Sequence, residues 1–78
     1  MGLGVKQRRI MNLILAKGNI TLEEVRKCYN LSEERAKDKI EEFESMLWIE
    51  RIPGATHPLR WGPGQAFPLN EDGKEVLK

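Results

Sequence analysis

Basic side chains on either side of the middle of the chain are the residues best suited to bind a charged ligand. Arg51, His57, Arg60 and Trp61 lie in or beside the acid-free segment PGATHPLRWGPGQ, which is rich in glycine and proline. A second group near the N-terminus consists of Lys6, Arg8 and Arg9. Cationic side chains on such loops suit contacts to phosphate or to the DNA minor groove. Other roles are open for these residues. Trp61 folds onto the core and Arg60 is merely exposed, while the N-terminal group docks on an acidic partner or is a solvated helix start.

Catalysis and metal binding have little support in the sequence. His57 is the only histidine and Cys28 the only cysteine, so a zinc site lacks ligands and an internal disulfide is excluded. No nucleophile–base pair is evident, and Gly62-Pro63-Gly64 lacks the strand-before, helix-after context of a dinucleotide loop. We predict a protein that is not an enzyme, needs no cofactor and uses Cys28 as a small core residue.

The length and hydropathy of the chain limit its architecture and its location. Its 78 residues suffice for a single domain, 1–78, with one modest core. Apolar runs stay well short of the roughly 18–20 residues of a membrane span. The start MGLGVKQRRI lacks the apolar segment of a secretory signal. These features predict a cytoplasmic protein without membrane contact.

Charge is unevenly distributed along the chain although the net charge is only +1. Residues 1–22 carry four basic side chains and no acid, and residues 51–70 carry two arginines and no acid. Residues 33–50 carry seven acids against three bases. The sequence therefore predicts a basic start, an acidic middle and a mildly basic loop.

The first part of the chain has the periodicity and capping signals of two short helices. Apolar residues at helical spacing predict a helix over 5–17, which Gly18 ends. After a very short extended piece at 19–20, Thr21 and Glu24 form the capping box of a helix at about 22–29.

The stretch from Asn30 to Arg51 predicts a third helix followed directly by a strand. Ser32 is its predicted N-cap. Its apolar stripe, expected to be buried, is Ala36, Ile40, Phe43 and Leu47. The opposite face consists of Glu34, Arg35, Asp38, Glu41, Glu42 and Ser45. Four acids and one base on that face disfavour insertion between the phosphate rows of the major groove.

The rest of the chain predicts a wing and a final helical turn. Trp48, Ile49 and Ile52 indicate a short strand that Pro53-Gly54 ends, followed by a loop or long hairpin tip. A returning strand is expected at 66–69, and Asn70-Glu71-Asp72 would cap a short helical turn in GKEVLK.

This order of elements resembles the winged helix-turn-helix superfamily over about residues 9–77. The matching pieces are RRIMNLIL, ITLEEV, NLSEERAKDKIEEFESM, LWIER and FPLNEDGKEVL. The resemblance implies an α+β fold with a three-helix core, a small antiparallel wing at about 48–69 and a short C-terminal helical turn. The family often places glycine between helix 3 and the strand, where this chain has Leu47.

A narrower resemblance concerns the wing alone. Gly54 and the later His57-Pro58-Leu59-Arg60-Trp61 are similar to the wing of winged domains that bind left-handed DNA. Those domains also use Lys, Asn and Tyr on helix 3, and a gapless overlay puts Lys37 at the Asn position and Glu41 at the Tyr position. Two of the helix-3 side chains that this activity uses are therefore missing.

Three functions follow as hypotheses. The first is binding of double-stranded DNA by a transcriptional or genome-associated regulator. It uses the wing residues, the N-terminal basic group, and the side chains at the front of helix 3, namely Arg35, Lys37 and Lys39. The alternative is a protein-interaction domain that docks a basic partner, or a second copy of the chain, on Glu34, Asp38, Glu41 and Glu42. RNA binding through the wing and Trp61 is a third hypothesis.

Overall fold

The computed structural model describes residues 3–70 and 72–76. Within them the chain forms an α+β structure with three helices and a three-stranded antiparallel sheet of order β1-β3-β2. The elements are α1 (Val5–Lys17), β1 (Ile20–Thr21), α2 (Leu22–Tyr29), α3 (Glu33–Ser45), β2 (Ile49–Thr56) and β3 (Leu59–Pro63). None of the described helices is long and apolar enough to cross a membrane.

The caps that the sequence predicts for α1 and α2 are present. Gly18 ends α1 in the left-handed conformation, with φ at 87°, and donates its N–H to the carbonyl of Ile14. At the start of α2, the Thr21 hydroxyl accepts from the Glu24 N–H, and the Glu24 carboxylate accepts from the Thr21 N–H. Partial burial acts to raise the pKa of Glu24, but hydrogen bonds from Lys17 and Thr21 outweigh it and lower this pKa. Local capping therefore determines where α1 ends and where α2 begins.

The core joins one face of each helix to the sheet. Its buried apolar side chains are Ile10, Met11, Ile14, Ile20, Val25, Ala36, Ile40, Phe43, Ile49, Trp61 and Val76. Three of the four residues in the predicted stripe of α3 are among them. The fourth, Leu47, is 52% exposed, so its predicted burial is wrong.

Leu47 is exposed because it forms the left-handed end of α3 instead of a further helical turn. Its φ is 61°, its N–H donates to the carbonyl of Glu44, and the Trp48 N–H donates to the carbonyl of Phe43. This pair of bonds is a Schellman motif, and the expected apolar contact accompanies it. The rings of Phe43 and Trp48 stack with their centroids 5.7 Å apart. Leu47 thus adopts the conformation that favours glycine at this turn.

Replacing Leu47 by glycine is expected to raise the free energy of unfolding by about 0.5–1 kcal/mol. The left-handed conformation costs an L-residue about 1–2 kcal/mol, and the added freedom of glycine in the unfolded chain costs about 0.4–1 kcal/mol. Urea denaturation followed by circular dichroism measures the difference. The matched control is Leu15→Gly, an exposed leucine inside α1, which should lose about 1 kcal/mol. Destabilisation by both changes would contradict the expectation.

The segment predicted as a loop after Pro53 is mostly strand, which corrects the prediction that Pro53-Gly54 ends β2. β2 continues to Thr56, and its pairing with β3 is irregular between Arg51 and Thr56. Proline fits there because β2 is an edge strand and the irregular stretch interrupts the hydrogen-bond ladder. The hairpin turns at His57-Pro58, joined by a cis peptide bond.

The returning strand of the hairpin is β3, so its predicted position at 66–69 is wrong. In that region the structure shows a turn and an isolated bridge between Leu69 and Val76. The predicted helical turn is also absent from the described residues 72–76; the remaining positions 77–78, and Glu71, lie outside the described residues. Asn70 still caps backbone, because its side-chain oxygen accepts from the N–H groups of Lys74 and Glu75. The side-chain cap therefore closes a loop instead of starting a helix.

Candidate functional site

One group of predicted basic residues meets at the junction of α1 and α3, and we call Lys6, Arg35 and Lys39 the helical basic cluster. The ammonium groups of Lys6 and Lys39 lie 5.9 and 5.3 Å from the centre of the Tyr29 ring. All three cations line one open pocket of about 420 Å³ with Tyr29, Leu31, Asp38 and Glu42. Residues from separate helices thus form a mixed-charge pocket around one aromatic ring.

Tyr29 keeps its proton at this junction. The pKa of Tyr29 is raised to about 12, mainly because the side chain is partly buried and to a smaller extent because the Cys28 and Glu42 groups lie nearby. Its hydroxyl oxygen is buried and has no hydrogen-bond partner in the described part of the chain. The half-buried Cys28 packs against the core, and its thiol donates to the carbonyl of Lys6 at 3.7 Å. Tyr29 therefore serves the cluster as a neutral ring.

Two further residues of the N-terminal basic group lie outside this pocket. Arg9 is exposed and Arg8 is half-buried, and neither forms an ion pair within residues 3–70 and 72–76. Of the predicted N-terminal group, only Lys6 joins cations from α3.

The predicted wing residues occupy distinct environments on the hairpin. Arg51 and His57 are exposed, and His57 stands at the tip. The Arg60 guanidinium donates to the side-chain oxygen of Asn19 at 2.8 Å, which ties β3 to the segment before β1. Trp61 is only 7% exposed and belongs to the core. The structure therefore leaves Arg51 and His57 free at the surface, while Arg60 and Trp61 help to hold the hairpin in place.

The outward face of α3 is exposed at all six positions that the helical spacing predicts. Its acids do not form one patch, however. Asp38 and Glu42 line the pocket of the helical basic cluster, where Lys39 pairs with Glu42 at 3.2 Å. Glu41 lines a different depression together with Lys37. The predicted acidic docking face is thus divided between two sides of the helix.

That second depression, which we call the α3–wing groove, was not predicted from the sequence. It has a volume of about 460 Å³ and lies between the start of α2, one side of α3 and the tip of the hairpin. Its lining residues are Thr21, Leu22, Glu23, Lys37, Ile40, Glu41, Glu44, Pro58, Leu59 and Trp61. The only sign of such a surface in the sequence is the apolar pair Pro58-Leu59 within the segment rich in glycine and proline.

Among the described residues, no three His, Cys, Asp or Glu side chains come together as candidate metal ligands. The described part of the chain thus presents three candidate binding surfaces. They are the mixed-charge pocket, the exposed basic hairpin and the apolar groove with its charged rim. No protein-family model, curated protein or solved structure matches this chain.

Proposed function

We propose that this protein is a winged helix-turn-helix protein that binds double-stranded DNA and acts as a transcriptional or genome-associated regulator. The observation that supports this most is the hairpin from Arg51 to Pro63. It follows directly after the third helix, it contains two arginines and a histidine, and it has no acidic residue. An exposed basic hairpin beside an exposed helix is the arrangement that winged domains use on a duplex.

The proposed contacts go chiefly to the DNA backbone. Arg51 and His57 are exposed on the hairpin, and Lys37 is exposed on the side of α3 nearest to it. Arg51 and Lys37 would neutralise phosphates and His57 would donate a hydrogen bond to one, and such contacts give affinity with little dependence on base sequence. The acids on the outward face of α3 oppose its deep entry into the major groove. Arg60 acts through its bond to Asn19, which holds the hairpin against the helices.

The helical basic cluster provides a second set of cations in this proposal. Lys6 and Arg35 make no ion pair in the described part of the chain, whereas Lys39 is paired with Glu42. Lys6 and Arg35 are therefore the members available to a phosphate. Arg8 and Arg9 extend the same end of α1.

A salt titration with a 20-base-pair duplex tests the proposal through fluorescence anisotropy. The double variant Arg51→Ala/Lys37→Ala is expected to weaken binding at every sequence tested. It should also reduce the slope of log K against log[salt] by about 2, or about 1 for each phosphate contact. Arg60 is avoided because its loss would also disturb the hairpin.

The matched control is Lys27→Ala, which removes an exposed cation of α2 that makes no described ion pair. Its salt slope should equal that of the unmodified protein. Absence of binding at low salt, or equal slopes for the double variant and the control, would refute DNA binding through these residues.

A further inference from the structure

The α3–wing groove has an apolar floor that is open to the outside. Leu22, Ile40, Leu59 and Trp61 contribute aliphatic and aromatic surface, and Pro58 contributes at the hairpin tip. Leu59 is 37% exposed although it stands close to the buried Trp61. Apolar concave surface of this size, with polar groups at its edge, is typical of a site that receives an apolar group.

The rim of the groove is acidic. Glu23, Glu41 and Glu44 face one basic side chain, Lys37. Glu23 is paired with Arg26 at 3.0 Å, whereas Glu41 and Glu44 form no ion pair within the described ranges. The groove therefore offers two carboxylates that a positively charged partner can still neutralise.

The charged side chains of the rim lie in a row along α3, and the length of this row indicates the size of the ligand. Lys37, Glu41 and Glu44 follow one another along α3, and seven residues of helix span about 10 Å. A partner segment of about two helical turns has the same length. An amphipathic helix places its apolar side chains on one face, flanked by charged ones, which matches an apolar floor with charged edges.

We propose that the α3–wing groove docks a short basic amphipathic helix of a partner protein. A large apolar side chain of that helix enters between Leu59 and Ile40, and its flanking Lys or Arg side chains pair with Glu41 and Glu44. The same carboxylates repel phosphate, so nucleic acid is not the occupant. This site is separate from the backbone contacts proposed for DNA, with which it shares only Lys37.

Binding of synthetic peptides to the full chain tests this assignment by nuclear magnetic resonance. The probe is a 14-residue amphipathic peptide of leucine and lysine. Two further peptides replace either its lysines by glutamate or its leucines by serine. With the Leu/Lys peptide, we expect saturable shifts of the Leu59, Glu41 and Glu44 amides and of the Trp61 indole N–H. Trp48→Phe identifies the indole signal of Trp61. Neither of the other peptides should shift these signals, because each lacks one of the two features.

Charge-reversal variants separate the groove from general charge attraction. Glu41→Lys/Glu44→Lys should weaken binding of the Leu/Lys peptide by about tenfold or more at physiological salt. The matched control Glu33→Lys/Glu50→Lys makes the same change in net charge at two exposed residues outside the groove, and should leave binding nearly unchanged. Leu59→Ser should weaken binding without any change in charge.

Any one of four results would overturn the proposal. The first three are equal losses in the two charge-reversal variants, equal binding of the Leu/Glu peptide, and shifts that map away from the groove. Groove signals that move on dilution of the protein alone would identify a second copy of the chain as the occupant and would likewise reject a partner protein. All of these measurements are made without DNA, so they are independent of the result of the salt titration.

Discussion

Replacing Phe43 by alanine is expected to lower the free energy of unfolding by about 3–5 kcal/mol. Its ring is fully buried, stacks on Trp48 and lies in the cluster that joins α3 to the rest of the core. The change leaves a cavity and also removes the apolar contact of the Schellman motif. Small domains have a total stability of about 5–15 kcal/mol, so we expect a large fall in the urea midpoint.

The control for this prediction is Phe43→Leu. Leucine keeps most of the apolar volume, and a swap of this kind costs less than about 1.5 kcal/mol when the site can repack. Circular dichroism in urea measures both variants under the same conditions. If alanine and leucine cost the same, or alanine costs less than leucine, Phe43 does not hold α3 to the core in the way its burial indicates.

Replacing Gly64 by alanine is expected to cost about 3 kcal/mol, at the upper end of the range for overpacking. A β-carbon at this position would lie 2.5 Å from the carbonyl oxygen of Leu47 and 3.0 Å from the backbone nitrogen of Ile49. These are backbone atoms, and hydrogen bonds hold both sides of the contact. The Gly64 N–H donates to the carbonyl of Trp48, and the Ala66 N–H donates to the carbonyl of Leu47. Relief therefore requires separation of the segment after β3 from the end of α3.

Gly54→Ala provides the comparison, because the two glycines are required for different reasons. Gly54 has a φ of 84°, and a β-carbon added there would have no described atom within 4 Å, so alanine meets conformational strain without a clash. That strain costs about 1–2 kcal/mol. In thermal unfolding, the Gly64→Ala variant should therefore have a lower melting temperature than the Gly54→Ala variant. The reverse order would show that the backbone around Gly64 relaxes easily.

The helices could be predicted from the sequence because their signals are local. Apolar spacing and the caps at Gly18, Thr21 and Ser32 lie within a few residues of the elements that they delimit. The second strand of the hairpin was predicted too late in the chain, because proline and glycine after Ile52 usually indicate a loop. Pro53 is accommodated because β2 is an edge strand whose pairing is irregular there, and this pairing depends on a strand about ten residues away.

The candidate site could be predicted only in part, because most of it depends on contacts between residues far apart in the sequence. Spacing along α3 correctly predicted its outward side chains. The α3–wing groove, in contrast, combines residues near positions 22, 40 and 59, and no short window of sequence contains all three. Burial of Trp61 likewise follows from the pairing of β3 with both β1 and β2, because the central strand of the sheet lies against the core.

The position of β2 at the edge of the sheet has a consequence for the behaviour of many copies of this chain together. An edge strand with free backbone groups can pair with the edge of another molecule and begin aggregation. Here Pro53 lacks an N–H group, the register is broken between Arg51 and Thr56, and the exposed pair Glu50 and Arg51 places charge along the strand. The proline and the broken register that make this strand difficult to predict from the sequence are thus, with its charges, features that disfavour edge-to-edge pairing between copies.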